Sequence, residues 1–131
     1  MPDTAPLTIL VADDDPEMRA YIRRGLRGAH VVEAADGTEA LAAVRDGTPG
    51  PDLVIADVRM PGLDGYALCA TLHADAGTSH VPVLLISGEP PRESACAHGF
   101  LAKPFNAAGL RAAVAVLLPR TDPHPPPTPT P

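Results

Sequence analysis

Short apolar runs alternate with amphipathic stretches along this chain, and that rhythm restricts its possible folds more than any other feature. Residues 7–12 (LTILVA), 30–34 (HVVEA), 53–56 (LVIA) and 81–86 (VPVLLI) are too short for core helices and are bounded by turn-forming residues. The intervening stretches have helical spacing. The first has Asp15 as its N-cap, Pro16 at the first helical position, and Met18, Ile22 and Leu26 on one face. The second opens at Asp36 with Glu39 three residues on, a capping-box variant, and continues through Ala40, Leu41 and Val44. A third runs from Leu63 through Leu68 and Leu72 to Asp75. The last opens at Asn106, buries Leu110, Val114 and Leu117, and stops at Pro119. With a short fifth strand ending in FLAK, the pattern predicts an α/β fold with a parallel sheet covered on both faces. Right-handed crossovers then predict a doubly wound, flavodoxin-like five-stranded sheet of order 2-1-3-4-5.

Composition supports one such domain over residues 1–118. Hydrophobic residues make up 45% of the chain, yet there are only two Phe, two Tyr and no Trp, so the core must be aliphatic. A net charge of −6 argues against a nucleic-acid surface, which needs clustered Lys and Arg. No apolar run approaches the ~20 residues of a membrane span, and the first eight residues lack an export pattern, so a cytoplasmic protein is expected. Cys69 and Cys96 match no metal or redox spacing and read as reduced thiols. Residues 119–131 hold seven prolines and read as a disordered Pro/Thr-rich tail. Residues 119–131 are too few for a DNA-binding domain, so a transcription factor is not expected unless the chain is an excised fragment.

In a doubly wound sheet, ligands bind beyond the carboxyl ends of the strands where the winding reverses. Asp13, Asp14 and Asp15 follow the first strand, and Asp57 ends the third. Convergence of at least three carboxylates without a cation is costly, and a hard divalent ion such as Mg²⁺ suits an all-oxygen site of this kind. Ser87 ends the fourth strand. Lys103 ends the fifth and is the only lysine in the chain, a compact point charge beside the acids.

ILVADDDPEMR, VVEAADGTEAL, PDLVIADVRMPGLDGYAL, VPVLLIS and LAKPF together resemble the receiver domain of bacterial two-component response regulators, over residues 7–118. The resemblance implies a single-domain receiver with Asp57 as phosphoacceptor. It implies Mg²⁺ held by Asp13, Asp14, Asp57 and the backbone carbonyl of Arg59, with Asp14 more direct than Asp13. Ser87 and Lys103 would bind the phosphoryl group, and Phe100 would change rotamer on activation. Lys103–Pro104 corresponds to a bond that is usually cis in the family. Arg59 and Glu89 would flank the phosphoryl group, where a pair of opposite charges could shield it from water. The implied partners are a histidine kinase or histidine phosphotransfer protein and a downstream protein target, with no nucleic acid and no membrane.

Two other functions are open to these residues. An aspartyl phosphatase would also use an Asp nucleophile, but that class places a second acid two residues later, where this chain has Arg59. A receiver-like interaction module would not be phosphorylated, against which stands the full set of acids, Ser87 and Lys103.

Ser87 and Lys103 are sixteen positions apart, shorter than the usual receiver spacing by about one and a half helical turns. The deficit falls on residues 88–98 (GEPPRESACAH), where Pro90 and Pro91 forbid a helix interior. A shortened or irregular fourth helix is therefore expected, with an altered partner surface.

Overall fold

A computed structural model describes residues 7–47, 50–90 and 97–118 of the chain. Among these residues the elements run β1 (Thr8–Ala12), α1 (Pro16–Gly25), β2 (His30–Ala34), α2 (Gly37–Asp46), β3 (Leu53–Asp57), α3 (Gly65–Ala74), β4 (Val83–Ser87), β5 (Gly99–Ala102) and α4 (Ala107–Leu117). The five strands form one sheet of order β2-β1-β3-β4-β5, with every pairing parallel. This is the predicted doubly wound topology, with the winding reversing between β1 and β3.

Side-chain caps start all four helices among the described residues. Asp15 accepts from Glu17 N, Asp36 from Glu39 N, Asp64 from Ala67 N and Asn106 from Gly109 N, and each cap residue is extended. Glu39 reaches back to Ala35 N at 2.5 Å, one residue earlier than a capping box requires. The third helix begins at Gly65, not Leu63, because the Asp64 carboxylate takes over its N-terminus. The fourth strand begins at Val83: Pro82 has no N–H to donate, and Val81 N is already turned back to Thr78 O. At the end of α4, Leu110 and Val114 are buried as expected, but Leu117 is only partly covered and Leu118 takes the buried position.

The sheet separates two aliphatic layers. Leu10, Val54, Leu68, Leu72 and Leu85 pack on the α2/α3 side, and Ile9, Ile22, Ile55, Ile86 and Leu110 on the α1/α4 side. Alternate residues of each central strand feed opposite layers, so β3 and β4 read as continuous apolar runs. No helix among the described residues is long and apolar enough to cross a membrane. The expected short crossover helix lies largely in residues 91–96, and the expected tail in residues 119–131; both are outside the described residues.

Candidate functional site

The two strands at the reversal deliver their acids to one point. β1 ends at Ala12 and releases Asp13 and Asp14, while β3 ends in Asp57 itself. Carboxylate oxygens from Asp13, Asp14 and Asp57 all lie within 4.8 Å of one another. Asp13 is 2% exposed and Asp57 8%, whereas Asp14 faces solvent. The cluster therefore has a buried floor and an open mouth.

Asp13 is held from several directions. Its N–H donates to Ala34 O at 3.1 Å, and its Oδ1 accepts from Asp15 N at 2.9 Å. Its Oδ2 is buried with no hydrogen-bond partner among the described residues. Burial pushes the Asp13 carboxyl up to about 6, and the charges of Asp57 and Asp14 add to the rise. The hydrogen bond from Asp15 N and the charge of Lys103 oppose it. A buried carboxylate with an orphaned oxygen, in a cluster with two further carboxylates, fits an oxygen-coordinated divalent cation well.

Lys103 crosses from β5 and places Nζ 3.2 Å from Asp57 Oδ2. The Lys103–Pro104 peptide is cis. Ser87, buried at the end of β4, accepts at Oγ from Glu89 N at 3.0 Å. Arg59 N points to Asp57 Oδ1 at 3.4 Å, and Arg59 Nη2 donates to Glu89 Oε2, closing an exposed ion pair. That pair lines the same depression as Asp14, Met60, Pro61 and Asp64. Phe100 is partly buried on the α2/α3 side with its ring centroid 6.3 Å from that of Tyr66. It joins the core beside the site and is not part of the acid cluster.

Two glycines that the sequence reading passed over support the site by being small. A Cβ on Gly65 would lie 2.6 Å from Asp57 O, and one on Gly37 only 1.9 Å from Leu63 O. Gly65 N also donates to Val58 O at 3.0 Å, so α3 starts directly against the backbone that carries Asp57. The signal available in the sequence was weak: a glycine after a cap residue usually reads as part of a loop.

Comparisons with known proteins agree with this geometry. The sequence profile of the response regulator receiver domain matches residues 9–115. Chemotaxis protein CheY-3 of Vibrio cholerae is 36% identical over 114 residues, covering 80% of this chain and 86% of its own. The DNA-binding response regulator MtrA of Mycobacterium bovis is also 36% identical, over 94% of this chain but only 55% of its own length. Among solved structures, the chemotaxis response regulator CheY4 of Vibrio cholerae superposes with a TM-score of 0.79 at 29% identity, covering 87% of this chain and all of its own. A response regulator from Chloroflexus aurantiacus superposes at 0.77 with 35% identity, covering 88% of this chain and all of its own. With its sheet order, its acid cluster at the reversal and a profile match over most of its length, the chain belongs to the response regulator receiver domain family.

Proposed function

We propose that this receiver accepts a phosphoryl group on Asp57 from a phosphohistidine of a kinase or phosphotransfer protein, in a Mg²⁺-dependent step. The phosphorylated form would then signal by binding a protein target. The observation that carries the reading is the convergence of Asp13, Asp14 and Asp57, with Lys103 Nζ 3.2 Å from the last of them.

Asp57 is the nucleophile. One of its carboxylate oxygens forms the new O–P bond as the N–P bond of the donor breaks, and the imidazole nitrogen leaves with the electron pair. Lys103 is placed to pair with the anionic oxygens, and the Ser87 hydroxyl, already accepting from Glu89 N, can donate its proton to another. Asp13, Asp14, Asp57 and the Arg59 carbonyl would hold Mg²⁺, which when bound supplies positive charge to the transferring phosphoryl oxygens. The exposed Arg59–Glu89 pair would shield the acyl phosphate from water, a modest effect for a pair worth ~0–1 kcal/mol.

Incubation with a small acyl phosphate and Mg²⁺, followed by intact-mass measurement, tests the reading. One added phosphoryl group is expected, absent in Asp57→Asn and absent with EDTA. Labelling that survives either change would overturn the assignment. No labelling of the wild type would favour a receiver-fold interaction module that works unphosphorylated. A dephosphorylation half-life unchanged in both Arg59→Ala and Glu89→Ala would remove the shielding role.

A further inference from the structure

Arg19 stands outside the acid cluster but is bonded to its backbone. Its Nη1 donates to Asp13 O at 2.6 Å while its Nε donates to Glu33 Oε1 at 2.8 Å. The side chain is only 16% exposed, so the contact is not a loose surface pair. Glu33 lies on the edge strand β2, one residue before Ala34, whose carbonyl receives Asp13 N. The planar guanidinium therefore spans from β2 to the loop that leaves β1, a two-acceptor reach that a lysine ammonium does not reproduce. Arg23 completes the arrangement by donating to Glu33 Oε2 from Nε and Nη2, at 3.0 and 2.5 Å.

Asp13 has few ways left to move. Its N–H, its carbonyl and its Oδ1 are each engaged, and its Oδ2 is the atom left without a partner. A buried carboxylate in this condition needs rigid support, because any rotation that brought Oδ2 to water would have to break one of those anchors.

We infer that Arg19, braced by Glu33, is a positioning residue that fixes the Asp13 carboxylate for cation binding. This rests on the Mg²⁺ reading of the acid cluster and extends it to side chains that touch neither the cation nor the phosphoryl group. Loss of an outer anchor of a metal-binding group commonly weakens binding at least tenfold.

Two measurements on the full chain test the inference. The first is Mg²⁺ affinity by calorimetric titration of wild type, Arg19→Ala and Arg19→Lys. A rise in Kd of about tenfold is expected for Arg19→Ala, with a smaller rise for Arg19→Lys, whose compact ammonium keeps the charge but lacks the spaced planar donors of the guanidinium. The second is amide hydrogen exchange of the metal-free proteins, in which Asp13 and Asp15 should exchange faster in the variants while Leu10 and Ile55 stay protected. Unchanged exchange at Asp13 and Asp15 would overturn the clamp whether or not metal binds. Faster exchange with a wild-type Mg²⁺ affinity would overturn its positioning role. Should Arg19→Ala not fold, Arg19→Lys carries both comparisons. A wild-type protein that does not bind Mg²⁺ would instead overturn the reading of the acid cluster itself.

Discussion

The two ends of β3 obey opposite rules. Leu53, Val54, Ile55 and Ala56 are fully buried among aliphatic neighbours, and one residue later Asp57 is buried beside two other carboxylates. The first four residues favour the folded chain by removing apolar surface from water. The carboxyl end instead buries acids together, and that burial, helped by the charges of Asp57 and Asp14, displaces Asp13 towards its neutral form. A single strand thus passes from a stabilising region to one where a buried carboxylate carries an energetic cost.

The largest effect should come from the apolar end. Leu85→Ala removes a fully buried side chain of the α2/α3 layer and should lower unfolding free energy by about 2–5 kcal/mol in denaturant titration. A cost near that of a surface substitution would break the contrast. Next in size is Gly37→Ala, whose Cβ must displace the Leu63 backbone, at about 1–3 kcal/mol. Gly65→Ala should cost a similar amount and also slow labelling of Asp57, because its Cβ presses on the Asp57 carbonyl.

At the acid end the sign should reverse. Asp13→Asn should stabilise the metal-free protein by about 1–2 kcal/mol at neutral pH, with the open mouth of the site moderating the full value of the shift. Because the folded carboxyl is raised to about 6 from 3.8, the wild type carries the whole penalty above the higher value and sheds it as pH falls towards the lower. The advantage of the variant should therefore vanish in acid. Added Mg²⁺ should shrink or reverse it at neutral pH by stabilising the wild type more than the variant. Thermal melts across pH, with and without Mg²⁺, check both statements.

The smallest effect belongs to Glu33. Arg19 and then Arg23 hold its carboxyl below the ordinary 4.5, so its contribution is present above that value and lost as pH falls through the lower folded one. Glu33→Gln should cost ~0–1 kcal/mol at neutral pH, and nothing once both forms are uncharged. A large stability loss would show that the bridge supports the fold as a whole and not the Asp13 loop locally.

Most of the architecture was legible in the one-dimensional pattern because parallel strands buried on both faces must be continuous apolar runs. Cap residues announced the helix starts in the same way, since Asp15, Asp36 and Asn106 satisfy donors within three residues of themselves. Leu63 misled because its apolar periodicity extends past the point where Asp64 caps the helix. The acids, Ser87 and Lys103 were legible as strand ends, for a strand end in a doubly wound sheet already implies a place.

Arg19 and the two tight glycines were not legible, and the reason is separation along the chain. The sequence alone determined the order of elements and the end of the sheet at which Asp13, Asp14 and Asp57 converge. Only the tertiary structure decided that Arg19 bridges Glu33 and Asp13, that Gly37 lies against Leu63, and that Asp13 Oδ2 is left without a partner. Periodicity and capping act over a few neighbouring residues, whereas these contacts join residues 6 to 26 positions apart that the fold packs to touching distance.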